Sequence, residues 1–187
     1  MESKTVYFEK PGEENTEQVL GITRQRAEEL GIKTILVAST YGNTAVKAVE
    51  ALSGFRVIVV SHSTGFKQPD DQQFTEKNRK VVESKGGTIL TTTHAFMGVS
   101  RAMLRKFDTM AIGDIIANVL RVFGEGMKVA CEITIMAADS GLVRTDEEVI
   151  AIAGTDLGAD TAIVLKPVNT QNFFDLKVKE ILCKPRF

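Results

Sequence analysis

Short apolar runs that alternate with helix-length segments limit the fold of this chain more than any other feature. Residues 35–38 and 57–60 are apolar and rich in β-branched side chains, which predicts two strands in the interior of a sheet. Between them, apolar residues recur at helical spacing over 45–52, which predicts a helix. Strands joined through helices lie parallel, and the helices cover both faces of their sheet.

The segments on either side extend this alternation. Asn15 is placed to begin a helix with a capping box, and Gly31 is placed to end it. A polar helix is predicted to begin near residues 68–71 and to end near Glu83. Residues 88–91 then predict a third parallel strand.

The second half of the chain is predicted to add helices and an antiparallel hairpin. Apolar periodicity predicts helices over 113–122 and 127–138, whereas 97–110 is ambiguous with some helical character. Strands over 148–154 and 161–165 are too close in sequence for a helical crossover, so we expect them to pair antiparallel.

The two ends of the chain supply candidate edge strands, at 5–8 and 176–183. Because no linker rich in Gly, Ser or Pro interrupts the pattern, we expect residues 1–187 to form one domain. The predicted fold class is α/β: a three-layer α/β/α sandwich whose sheet is mostly parallel with an antiparallel hairpin at its edge.

The strand at 35–38 ends in a loop suited to binding an anion. This loop consists of Ser39, Thr40, Tyr41, Gly42, Asn43 and Thr44. The first N–H groups of a helix lack partners within it, and the helix dipole adds positive potential there. Hydroxyl groups can donate further hydrogen bonds, and a glycine lets an anion approach the backbone closely. We therefore predict that the loop binds a phosphate group of a small ligand, with Tyr41 as a stacking residue.

An alternative needs no ligand, because small polar residues also cap helices. Two features favour binding. The loop carries more hydroxyl groups than a cap requires. It also follows a buried strand, and open α/β sheets bind ligands at the carboxyl ends of such strands.

Polar residues also follow the next two predicted strands at the same edge. His62, Thr64 and Gly65 follow the second strand, and His94 follows the third. An imidazole there can relay a proton or donate a hydrogen bond to a phosphate or a flavin. A histidine that faces solvent or is satisfied in the core remains the alternative, and the threonine and glycine are also typical of a simple turn.

Composition narrows the classes of function. The net charge is −1 without a basic run, so we expect no nucleic-acid binding. We expect no membrane span, since no apolar stretch is long enough, and the N-terminus lacks the core of a signal peptide. Cys131 and Cys183 lack the spacing of metal ligands and predict buried, reduced thiols in a cytoplasmic protein. The sequence predicts no metal site, and its oligomeric state stays open, with a homo-oligomer as one possibility.

Residues 15–67 and 111–168, taken together, resemble the C-terminal α/β domain of pyruvate kinase. In that family a Ser/Thr-rich loop of the kind found here at 39–44 grips a phosphate of a sugar-bisphosphate activator, and a hairpin turn closes over it. The resemblance implies that Gly154 and Thr155, at the start of the corresponding turn, also contact the ligand.

The chain departs from pyruvate kinase in two respects. The catalytic barrel of about 250 residues cannot fit beside this domain in 187 residues, so we expect no phosphoenolpyruvate chemistry. The hairpin turn carries Asp156 and Asp160, which would repel a second phosphate. The chain looks more like the stand-alone proteins of this domain type, a resemblance that implies flavin mononucleotide (FMN) as the cofactor. Its loop is also similar to the flavodoxin phosphate loop.

Three hypotheses therefore remain at the sequence level. The first is an FMN-binding protein, which could act as a flavin-dependent oxidoreductase. The second is a non-catalytic regulatory module that binds a phosphorylated metabolite, and the third is a structural or interaction domain without a ligand. The sequence does not identify catalytic residues.

Overall fold

The computed structural model describes residues 2–186, so Met1 and Phe187, the ends of the predicted domain, lie outside the described residues. The strands are β1 (Val6–Phe8), β2 (Thr34–Ala38), β3 (Arg56–Ser61), β4 (Thr88–Thr91), β5 (Val149–Ala153), β6 (Thr161–Lys166) and β7 (Lys177–Pro185). The α-helices are α1 (Thr16–Leu30), α2 (Asn43–Ala51), α3 (Glu76–Ser84), α4 (Gly98–Phe107), α5 (Ile112–Arg121) and α6 (Glu125–Asp139). Short 3-10 helices occupy Glu13–Asn15 and Thr170–Asp175.

The seven strands form one sheet in the order β1-β7-β6-β5-β2-β3-β4. All neighbouring pairs are parallel except β5 with β6 and β6 with β7, so β6 alone runs against the others. The predicted fold class is thereby confirmed: an α/β sandwich with a mostly parallel sheet.

The position of the hairpin within the sheet differs from the prediction. The β5–β6 hairpin forms as expected, but β7 and then β1 continue the sheet beyond it, so the hairpin does not lie at the edge. Residues 176–183 were predicted as an edge strand, and this is wrong because β1 pairs with β7 on its outer side, with Val6 opposite Cys183. That pairing joins the two ends of the chain, which local periodicity cannot report. The predicted edge strand near the N-terminus is confirmed.

Helices cover both faces of the sheet. The α1 side, as we call it, consists of α1, α2 and α3, and its core includes Leu20 together with Ile35 and Val37 of β2. On the α6 side, α6 packs against β2, β5 and β6, with Leu36 of β2 in the core between them. Successive residues of β2 thus point to opposite faces and are buried on both. On this side α5 packs on α6, and α4 contacts α5.

Helix starts show where local signals mislead. The helix predicted from residues 68–71 begins only at Glu76, where the Thr75 hydroxyl accepts a hydrogen bond from the Asn78 N–H. The capping box predicted at Asn15 is absent, since its side-chain amide donates to the Lys10 and Gly12 carbonyls instead. By contrast, Gly31 ends α1 in the left-handed region as predicted, with a φ of 69°.

Two further observations concern the cysteines and the membrane. Both Cys131 and Cys183 are free and buried, as expected, and burial raises the pKa of each thiol to about 12. Within residues 2–186, no helix combines the length and apolar character needed to cross a bilayer.

Candidate functional site

A cavity of about 700 Å³ opens at the carboxyl ends of β2, β3 and β5. Its walls come from the loops that follow these strands, from the start of α2, and from α4 and α6 on the α6 side. This is the edge of an open α/β sheet where ligands bind, and the volume lies within the roughly 300–1,000 Å³ typical of small-molecule sites.

The loop at 39–44 forms one end of the cavity. The Ser39 hydroxyl accepts a hydrogen bond from the Ala45 N–H at 3.3 Å, and the Ser39 N–H donates to the Val60 carbonyl at 3.0 Å. For the N–H groups of residues 40–44 we find no acceptor within the described part of the chain. The loop therefore presents unpaired amides at the start of α2, together with the Thr44 hydroxyl, which suits an anion.

The rear of this loop is closed by the start of α3. The Tyr41 carbonyl accepts hydrogen bonds from the Thr75 N–H and the Asn78 side-chain amide. Gly42 has a φ of 95°, and a Cβ placed on it would lie 2.6 Å from the Asn78 Cβ and 2.9 Å from the Phe74 ring. The glycine is thus required by packing against α3. Sequence reasoning gave it the role of admitting a phosphate, yet Gly42 does not line the cavity.

Two imidazoles and one phenyl ring form the middle of the cavity. The His62 and Phe66 ring centroids are 4.0 Å apart, and those of His62 and His94 are 5.2 Å apart. His62 lies 3.3 Å from the Thr40 hydroxyl through Nε2 and 3.0 Å from Gln73 Oε1 through Nδ1. Because an amide oxygen only accepts, Nδ1 carries the proton and the Thr40 hydroxyl donates to Nε2. Burial lowers the pKa of His62, with the hydrogen bond to Gln73 acting against it, so the ring is neutral at pH 7.

A buried ion pair lies on α6 at the floor of the cavity. Lys128 and Glu132 are 3% and 2% exposed, and the Lys128 ammonium donates to Glu132 Oε2. The other carboxylate oxygen accepts from the Phe96 N–H at 3.0 Å, and His94 Nδ1 lies 3.7 Å from Oε2. Burial alone raises the pKa of Glu132, but the interactions with His94 and Lys128 outweigh it and lower that pKa to about 2. Glu132 is therefore ionised and is held in place by the groups around it.

Further cations line the walls. Arg101 stacks on the Phe66 ring, with its guanidinium carbon 4.1 Å from the centroid, and Arg105 follows one turn later on α4. Lys67 donates to the Tyr41 hydroxyl at 3.1 Å. Neither Arg101 nor Arg105 forms an ion pair among the described residues, so these two arginines leave the α4 wall positively charged.

Acidic groups lie near the hairpin turn. Glu13 and Asp156 line the cavity there. Asp160, which the sequence grouped with Asp156, is fully buried and accepts hydrogen bonds from the Gly12 and Thr155 N–H groups. It therefore shapes the turn, and of these two aspartates only Asp156 is placed to repel an anion.

Comparison with known proteins decides the family. The family model described as "Pyruvate kinase, alpha/beta domain" matches residues 17–165, most of the chain. The chain belongs to this family. It is similar to two crystal structures of pyruvate kinase from Cryptosporidium parvum, at 12% and 11% identity with TM-scores of 0.43 and 0.40, each over 82% of this chain. It spans only 23% and 22% of those two chains. O-ureido-L-serine synthase is similar at 18% identity and a TM-score of 0.31, over 57% of this chain and 29% of that one.

The cavity of this pyruvate kinase alpha/beta domain brings together most of the residues that the sequence singled out. Those that line it are Ser39, Thr40, Tyr41, Asn43, Thr44, His62, His94 and Gly154. Those that do not are Gly42, Thr64, Gly65 and Thr155. Gly65 lines an adjoining cavity that shares the Phe66 and His94 rings with the first, and Thr64 accepts a hydrogen bond from Gln72 in the loop that leads to α3.

Sequence reasoning missed the charged groups from the α6 side. Arg101 and Arg105 lie in the segment that was ambiguous. Lys128 and Glu132 lie in the helix predicted over 127–138, where an oppositely charged pair four residues apart among apolar residues signals a buried ion pair. No group of three or more His, Cys, Asp or Glu side chains suited to a metal ion occurs among residues 2–186.

Proposed function

We propose that this domain binds a small molecule through a single phosphate group, and that the molecule is FMN. One observation carries the first part: Thr40, Tyr41, Asn43 and Thr44, whose N–H groups have no acceptor among the described residues, all line the cavity. A doubly charged phosphate satisfies several such donors at once, and the dipole of α2 favours it.

The rest of the cavity supports a ligand with one phosphate and a flat ring system. The Phe66, His62 and His94 rings and the Tyr41 side chain offer faces against which a planar heterocycle packs. Asp156 and Glu13 repel a second phosphate on the hairpin side. The positively charged α4 wall suits the electron-rich edge of a flavin. Bound there, FMN would supply redox chemistry, and the protein would bind it, orient it and exclude water.

Titration of the purified protein with FMN, followed by the quenching of flavin fluorescence, tests the proposal. We expect saturable 1:1 binding that inorganic phosphate weakens by competition. Riboflavin, which has the same ring but no phosphate, should bind far more weakly. Equal binding of the two compounds, or no binding of FMN, would contradict the proposal.

A substitution of Thr44 tests whether the phosphate binds at the loop of residues 39–44. Thr44→Val keeps the shape of the side chain and removes the hydroxyl, and a hydrogen bond to a charged group contributes about 1.5–3 kcal/mol. We therefore expect at least about a tenfold rise in the Kd for FMN. Thr88→Val, on the exposed edge strand β4 outside the cavity, is the matched control and should leave the Kd unchanged.

The regulatory alternative shares the phosphate loop and differs in the remainder of the ligand. It predicts that phosphate esters without a flavin raise the melting temperature of the protein while FMN does not. A thermal-shift comparison of FMN with glycerol 3-phosphate separates the two functions.

A further inference from the structure

The helix α5 carries apolar residues on two faces. Its inner face, with Ile116, Ala117 and Leu120, packs against α6 and its neighbours. Its outer face carries a second set, which we call the outer stripe: Ile112, Ile115, Val119 and Val122. These four side chains are between 54% and 78% exposed. A helix at the surface of a monomeric globular protein normally has polar residues on its outer face.

The neighbouring helix α4 adds to this surface. None of residues 98–107 is buried, and Val99, Met103 and Phe107 recur four residues apart on one exposed face. Met110 and Phe123, just beyond α4 and α5, are also more than half exposed. The two helices contact each other, so both exposed sets belong to the same part of the molecule.

This surface exposes more apolar area than isolated apolar residues on the surface of a typical monomer would. Together with the outer stripe, these side chains expose on the order of 900 Å², whereas the largest apolar patch of a typical monomer is about 300–600 Å². Each partner in a standard protein interface buries about 800 Å². The surface is therefore large enough for a stable interface.

The spacing within the outer stripe indicates what covers it. Ile112, Ile115, Val119 and Val122 are separated by three, four and three residues, the spacing with which one helix packs along another. A second copy of the chain supplies a helix with the same stripe, and one symmetric interface then satisfies both.

Charge is consistent with a partner of this kind. Asp114 is buried and caps the start of its own helix through the Ala111 N–H, and Arg121 is paired with Glu125. Two outer stripes can therefore meet without burying an unpaired charge of α5. A helix that lies on a lipid surface would instead carry a row of Lys and Arg beside its apolar face. The only such residue of α5 is Arg121, and two of the three cations of α4, Arg101 and Arg105, line the cavity.

We propose that the outer stripe of α5 packs against the outer stripe of a second copy of this chain, with α4 at the rim, so that the protein is a homodimer. This interface does not depend on which ligand fills the cavity.

Light scattering coupled to size-exclusion chromatography tests the dimer. At about 50 µM, the wild-type protein should elute with the mass of two chains, and Val119→Glu should elute with the mass of one. Val178→Glu provides the matched control: Val178 is an exposed valine on β7, 41% accessible, and belongs neither to the outer stripe nor to α4. This variant should remain dimeric. Circular dichroism and melting curves should show that all three proteins are folded.

Three results would overturn the proposal. A wild-type monomer would exclude the dimer under these conditions. A Val119→Glu protein that stays dimeric would place the contact elsewhere. A wild-type monomer that cosediments with vesicles of phosphatidylserine and phosphatidylcholine, while Val119→Glu does not, would assign the outer stripe to a lipid surface.

Discussion

The helices on the two sides of the sheet differ in how far they bury their apolar side chains. On the α1 side, α1 and α2 place apolar residues such as Leu20 and Val49 in the core and turn charged residues outward, where they form ion pairs. On the α6 side, α6 is almost wholly buried, yet α4 and α5 outside it expose apolar residues. On the α1 side a single chain buries the apolar residues of its helices. On the α6 side the exposed apolar residues have the character of a protein–protein interface.

The difference also concerns charge. Most ion pairs on the α1 side are exposed, as between Lys80 and Glu76 of α3, although Arg26 of α1 and Glu180 of β7 are only 17% and 14% accessible in theirs. The ion pair of Lys128 and Glu132 on the α6 side is buried. Exposed pairs contribute little to stability, whereas loss of one member of a buried pair leaves an uncompensated charge in the interior. The buried charges of the candidate site therefore come from the α6 side, the side whose outer helices expose apolar residues.

The largest expected effect comes from breaking the buried pair. Glu132→Gln keeps the size of the side chain but leaves the Lys128 ammonium without its counterion, so we expect unfolding in urea to show a loss of about 4 kcal/mol. Glu76→Gln removes one member of an exposed pair with the same i,i+4 spacing and should leave the urea midpoint unchanged. Equal effects of the two substitutions would remove the electrostatic contrast between the two sides.

The same carboxylate predicts a window of acid sensitivity. Its pKa in the folded protein is about 2, below the ordinary value of 4.5, so its contribution to stability is complete above pH 4.5 and is lost as the pH falls towards 2. Wild-type stability measured at pH 5 and at pH 3 should therefore fall more steeply than that of Glu132→Gln. Parallel pH profiles of the two proteins would show that this group does not titrate with a depressed pKa.

A matched pair of leucines measures the difference in packing. Leu20 of α1 is 1% exposed and Leu104 of α4 is 40% exposed. Leu20→Ala should lower the free energy of unfolding by about 3 kcal/mol through the cavity it creates. Leu104→Ala should lower it by less than about 1 kcal/mol, because surface truncations are mild. Urea titrations at one protein concentration provide the measurement, and a reversed order of the two values would contradict the contrast.

The smallest expected effect concerns the histidine between the two sides. Burial favours the neutral form of His62 and lowers its pKa below 6.5, so its contribution to stability is complete above pH 6.5 and is lost as the pH falls through the folded pKa. The Cε1 proton signal of His62, assigned by comparison with His62→Gln, should titrate with a midpoint below 6.5. A midpoint at or above that value would show that the ring is better solvated than the structure indicates.

Much of the fold could be predicted because its signals are local. The run at 35–38, the polar loop and the periodic segment after it predicted β2, the loop and α2 in order. Gly31 was predicted as a helix end because the left-handed region favours glycine. The start of α3 was wrong because Gln72 is held by tertiary hydrogen bonds: its side chain donates to the His62 carbonyl and accepts from the Phe74 N–H.

The candidate site was predictable on one side only. Residues 39–44 and His62 follow directly from strand ends, which sequence patterns reveal. The cations of α4 and the ion pair of α6 come from later segments of the chain, and only the packing of α6 on the sheet brings them to the same cavity. The role of Gly42 could not be predicted either, because it depends on contact with Phe74 and Asn78.

The helix α4 has a consequence for how strongly a ligand is held. Its inner face supplies Arg101 and Arg105 to the cavity, yet none of residues 98–107 is anchored in the core. Whatever covers its outer face would therefore restrict the movement of these two arginines. If a second chain does so, dilution of the protein would loosen the wall and weaken ligand binding, so that affinity would rise with protein concentration.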